Sequence, residues 1–152
     1  MRYVDDDECY RKHAAELMRF ASALVGPGLA EDVLAAGVCR ALAASSWPGV
    51  ENKRAFLFRC VASEANRAAR TAQRVLRREM RVAQREAFTE ERPDLDVRAA
   101  LVALSTRQRA VIYLTYWVDL SVADVAEIIG ASARTVEREL KRARQVLGRK
   151  LS

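Results

Sequence analysis

The sequence predicts an all-α protein made of two small helical domains joined by a short linker, the second domain a helix-turn-helix. Three observations carry this. Apolar residues recur at helical spacing in separate blocks, whereas the β-branched alternation of a strand never persists. Three serines, Ser105, Ser121 and Ser132, stand at helix starts within 28 residues of each other. Between the last two of them a short apolar helix meets Gly130, and a basic helix follows.

The elements follow in order. Tyr10, Ala14, Leu17, Met18, Ala21 and Leu24 form an apolar stripe that stops at Gly26-Pro27-Gly28. A second helix is expected from about Leu29, with Glu31 and Asp32 in its first turn, where the helix dipole favours acids. Its apolar members are Val33, Leu34, Val38, Ala41 and Leu42, and Gly37 in its interior costs about 1 kcal/mol relative to Ala. Ser45-Ser46-Trp47-Pro48-Gly49 reads as a loop. A long basic helix is expected from about Asn52 to Arg85, with Phe56, Leu57, Cys60 and Val61 as the core face of its first half. Residues 86–95 are a charged linker, which divides the chain into domains at 1–85 and 96–152. In the second domain Ser105 and Gln108 match a capping box, and Ser121 and Asp124 match its shorter-armed variant.

Charge is segregated. Residues 53–85 carry a net +8 and residues 134–152 a net +5, while 1–52 carry −3 and 86–133 carry −4 within a total of +6. Two basic blocks separated by an acidic stretch are surfaces for a polyanion. With one His, no paired carboxylates and no phosphate-cradling Gly loop, the reagents of acid–base or nucleophilic catalysis are missing. Cys9, Cys39 and Cys60 have no metal-ligand spacing, and Cys9 with His13 gives only two ligands, so no metal and no cofactor is expected. The N-terminus is acidic, unlike a secretory leader, and the most apolar run, 110–118, is too short to cross a bilayer. The expected location is the cytoplasm.

The segment 121–147 carries the clearest functional signal. Gly130 supplies the positive φ that ends the first helix, and Ser132 caps the second. On that second helix Val136, Leu140, Ala143 and Leu147 share one face, which packs inward. Arg134, Arg138, Lys141 and Gln145 gather on the opposite side, with Glu137 and Arg142 flanking them. Such a strip on an exposed second helix suits phosphate and base contact in a major groove.

The stretch from Leu101-Val-Ala-Leu-Ser-Thr-Arg-Gln-Arg-Ala-Val-Ile-Tyr-Leu114 through Leu120-Ser-Val-Ala-Asp-Val-Ala-Glu-Ile-Ile-Gly130 to Leu140-Lys-Arg-Ala-Arg144 resembles region 4 of extracytoplasmic-function sigma factors. Ala30-Glu31-Asp32 before an apolar helix, and Phe56-Leu57-Phe58-Arg59, resemble region 2. The resemblance runs from about Tyr10 to Leu151 and implies promoter-specific initiation by RNA polymerase. It implies core polymerase and promoter DNA as partners, and often an anti-sigma factor.

By this resemblance the −35 element is read by Arg134, Glu137, Arg138, Lys141, Arg142 and Gln145. The −10 element falls to Trp47, Asn52, Lys53, Arg54, Arg59, Ser63, Arg67 and Arg70. Polymerase falls to Glu31, Asp32, Leu34, Ala35, Val38 and Arg40. For Trp47 the residues leave two roles open, a stacking platform for an unstacked base or a cap on the core beneath the loop.

The chain departs from the family's pattern in places. Where the recognition helix usually reads Gly-Thr-Val-Lys-Ser-Arg, this one reads Arg134-Thr-Val-Glu137-Arg138-Glu139. Ala35 and Ala36 replace a Gln and an acid, Ser63 replaces an Asn, and Arg67 an Asp. A helix-turn-helix regulator acting as a dimer, and a sigma-like polymerase-binding protein without melting activity, are the alternative functions.

Overall fold

The computed structural model describes residues 2–83 and 102–151, and among them there are six α-helices and no strand. Helix α1 spans Arg2–Val25, α2 Pro27–Ala43, α3 Lys53–Ala83, α4 Thr106–Tyr116, α5 Val122–Ile129 and α6 Ala133–Leu151, with a 3-10 turn at Trp47–Gly49. The expected linker, 86–95, lies outside the described residues.

The break between α1 and α2 is shorter than the Gly-Pro-Gly run suggested, because only Gly26 leaves the helical path. Pro27 then opens α2, where its fixed φ suits the first turn and its missing N–H costs nothing. The long basic helix starts at Lys53, with the Asn52 side-chain oxygen accepting from the Ala55 N–H at 3.0 Å.

Helices α1, α2 and α3 pack around Leu17, Phe20, Leu24, Leu34, Leu57, Phe58 and Val61, each at most 3% exposed. Gly37 now has a reason. A Cβ there would lie 2.9 Å from the Cα and Cγ2 of Val61, so only glycine admits this crossing of α2 over α3. Phe20 meets Phe58 edge-on at 4.9 Å between ring centres.

In the C-terminal half the expected caps are all formed. Ser105 and Gln108 exchange bonds of 3.1 and 3.0 Å, Ser121 accepts from the Asp124 N–H at 3.2 Å, and Ser132 accepts from the Thr135 N–H at 3.1 Å. Gly130 takes φ 74°, ψ 37°, the left-handed conformation that ends α5 and turns the chain into α6. The two halves are not separate beads. Helices α4 and α5 pack on α1 and α3, Phe20 meets Tyr113 at 5.6 Å, and one continuous core runs through both halves.

Two predictions follow from this packing. Gly37→Ala, which would stabilise an open helix interior, here drives a methyl into the Val61 backbone. It is expected to destabilise the protein by about 1–3 kcal/mol, read as a lowered urea midpoint with unchanged slope.

The second concerns pH. Burial holds His13 below its ordinary 6.5, and the hydrogen bond from Arg54 holds Glu16 below its ordinary 4.5. In both cases the unfolded chain binds protons more readily than the folded one, so stability is lost as pH falls. The urea midpoint should decline first below pH 6.5, as His13 is forced to protonate, and again below pH 4.5 as Glu16 is neutralised. In Glu16→Gln the lower step should vanish.

Candidate nucleic-acid interface

Helix α6 divides as its periodicity requires. Val136, Leu140 and Ala143 are at most 6% exposed and bind the helix to α4 and α5. Arg134, Glu137, Arg138, Lys141, Arg142 and Gln145 are all exposed on the other side. Burial thus fixes the axial rotation of α6, and that rotation presents the basic strip outward. Glu139 lies off the strip and pairs with Arg142 at 3.7 Å.

One further contact holds α6 in place, and sequence reasoning missed it. The Arg144 guanidinium donates to the Tyr116 hydroxyl from Nε at 2.7 Å, and from a terminal nitrogen as well, while lying 5.6 Å from that ring's centre. It ties the recognition helix to the end of α4. Tyr116 and Trp117 are 53% and 76% exposed, with Trp117 stacked on Tyr113 at 6.0 Å.

The basic flank of α3 is less uniform. Arg59, Ser63, Arg67 and Arg70 are exposed and share one side of the helix at spacings of four, eight and eleven residues. Arg40 of α2 reaches across to them, donating to the Ser63 hydroxyl at 3.3 Å and to Glu64 at 3.1 Å, while Arg67 lies 3.5 Å from the same carboxylate.

Three residues assigned to the −10 element serve the fold instead. Trp47 is 2% exposed, its indole N–H donates to Asp6 at 2.8 Å, and Phe56 and Lys53 lie against the ring. It is the core cap, and no face is left for a base to stack on. Lys53 donates to the carbonyls of Trp47 at 2.9 Å and Val50 at 3.3 Å, closing the loop. Arg54 forms a two-point pair with Glu16 of α1, its Nε donating at 2.9 Å. Asn52 is exposed, with its side-chain oxygen engaged in capping.

The polymerase assignment needs a similar correction. Leu34 and Val38 are 3% and 8% exposed, within the core where α2 packs on α1 and α3, so they cannot reach a partner without unfolding α2. Glu31, Asp32, Ala35 and Arg40 remain on the exposed side. Among the described residues there is no cluster of metal-ligating side chains, and no helix is long and apolar enough to cross a membrane.

Residues 94–147 match the family model of sigma-70, region 4. No curated protein matches the chain. Among solved structures it is similar to the sigma factor RpoE from Bartonella quintana, determined in complex with the anti-sigma factor NepR. The similarity has a TM-score of 0.66 at 25% identity and covers 97% of this chain and 96% of that one. The C-terminal half thus carries a sigma-70 region 4 helix-turn-helix, and the helical fold of the whole chain is similar to that of a sigma factor.

Proposed function

We propose that this chain acts as a sigma factor that brings core RNA polymerase to promoters in the cytoplasm, with residues 96–152 reading the −35 element and residues 1–85 engaging the −10 element across the linker 86–95. The observation that carries this reading is the free, outward-facing strip of α6 on a helix whose opposite face is buried. Duplex DNA is met by Arg134, Lys141, Arg142 and Gln145 through phosphate and base edges, and by Arg138 at the centre of the strip. Glu137 on the same strip accepts from a cytosine amino group and repels phosphate, so the −35 preference departs from one read by a Lys at that position.

For the −10 element the side chains that remain available are Arg59, Ser63, Arg67 and Arg70, with the exposed part of Asn52 at the head of α3. An arginine track of this kind follows a single-stranded backbone. The exposed Glu31, Asp32, Ala35 and Arg40 on α2 form the face offered to polymerase. An anti-sigma factor is a further partner by analogy with the RpoE–NepR pair.

The enclosure of Trp47 favours one second reading, a protein that binds polymerase but does not open the duplex, since the stacking platform expected in the −10 loop is absent. A single assay separates the two. The protein is mixed with core polymerase and a library of promoter-bearing fragments, and transcripts are mapped. Initiation at sites sharing a −35 and a −10 element supports the proposal, polymerase binding without initiation supports the second reading, and failure to bind core removes both. In the same assay Arg138→Ala should relax base preference at one or two −35 positions by about 1–3 kcal/mol. Equal weakening on all sequences would reduce Arg138 to a phosphate contact.

A further inference from the structure

A cleft of about 290 Å³ at the seam of the two halves has no place in the reading of duplex DNA. Its floor is apolar, with Leu24, Ala62, Ala110 and Ile128 each at most 7% exposed. Its rim is exposed and positive. Arg59 enters from α3 and Arg107 from the first turn of α4, and no Asp or Glu among the described residues lines it. Neither guanidinium belongs to an ion pair among the described residues. Two like charges at one cleft, with no carboxylate between them, favour an anion there.

The neutral polar groups are arranged as donors. The Ser63 hydroxyl oxygen accepts from Arg40 at 3.3 Å, and the Thr106 hydroxyl oxygen accepts from Arg109 at 3.3 Å. Each hydroxyl is thus engaged as an acceptor by a guanidinium, which can only donate, and keeps its own proton for a ligand. The capping box of α4 uses the backbone N–H groups of Ser105 and Gln108 and leaves those of Thr106 and Arg107 at the positive end of the helix. A group rich in lone pairs and negatively charged matches this set, and phosphate is such a group. The apolar floor asks for more than inorganic phosphate. The volume lies at the lower edge of small-molecule sites, roughly 300–1,000 Å³, which suits one nucleotide with its base on the floor and its phosphates at the rim.

We propose that this cleft binds a free nucleotide, a nucleoside carrying two or more phosphates. Arg59 and Arg107 hold the phosphates, and Leu24, Ala110 and Ile128 lie under the base. Arg59 and Ser63 also stand on the single-strand track, so nucleotide and single strand compete for them. That competition, and it alone, rests on the promoter-binding reading above.

The test uses the full chain, titrated in a calorimeter with ATP, adenosine and inorganic pyrophosphate. ATP should bind saturably, one per chain, and about tenfold tighter than either of the other two. Arg107→Ala, at an exposed site, should weaken ATP about tenfold through loss of a charge-assisted pair. Should that variant lose its helical circular dichroism, Arg59→Ala from the other half gives the same readout. Arg70→Ala removes an equal charge about 16 Å further along α3, beyond the screening length of about 8 Å, and should change ATP binding less than about twofold. Absence of saturable ATP binding overturns the proposal. Equal losses in Arg107→Ala and Arg70→Ala do the same, because they describe a diffuse positive surface, and so does pyrophosphate that binds as tightly as ATP. In a second arm, saturating ATP should displace a mixed-sequence fluorescent single strand and leave a mixed-sequence duplex bound. A strand that needs Arg107 on a chain that does not bind ATP gives the cleft to the strand and sinks the nucleotide. A chain that binds ATP but no single strand counts against the −10 reading and for the cleft. No readout involves polymerase, so failure of the nucleotide site leaves the initiation assay standing, and failure of initiation leaves the calorimetry standing.

Discussion

The crossing of α2 over α3 at Gly37 and Val61 is the constraint on which the N-terminal half depends. A backbone approach that leaves no space for a Cβ sets how far each helix slides along the other. Three residues further along α2, Arg40 then falls within reach of Ser63 and Glu64, two and three residues beyond Val61 on α3. The polar network on the flank of α3 is thus positioned by a contact in the core. Glu64, drawn upon by both Arg40 and Arg67, lowers the effective charge of the track at its middle and leaves Arg59 and Arg70 as the cations without a carboxylate among the described ion pairs.

Much of the C-terminal half was legible because its determinants are local. A serine three residues before Gln108, Asp124 or Thr135 needs no tertiary partner to cap a helix, and Gly130 needs none to turn left-handed. Likewise the two faces of α6 are a matter of period alone. The loop before α3 behaves differently. Trp47, Lys53 and Arg54 look like a stacking base and two phosphate contacts when read in isolation, and what reassigns Trp47 and Arg54 are the carboxylates of Asp6 and Glu16, 41 and 38 residues away on α1. No periodicity in the loop could show them.

Leu34 and Val38 were legible in a different sense. The apolar stripe of α2 contained both, and helical period alone assigned them to the core, where the structure has them. The resemblance to region 2 implied a polymerase contact for both, against that period. A residue can belong to a helix at the surface and still point inward, and burial decides which. Gly37 illustrates the reverse, a residue whose local cost was visible while its tertiary reason was not.

Local net charge likewise does not measure what a surface can bind. Residues 53–85 hold the larger positive charge, yet Arg67 on that flank shares Glu64 with Arg40 and Arg54 is held by Glu16, whereas Arg134, Arg138 and Lys141 of the smaller block on α6 all stand exposed on one strip.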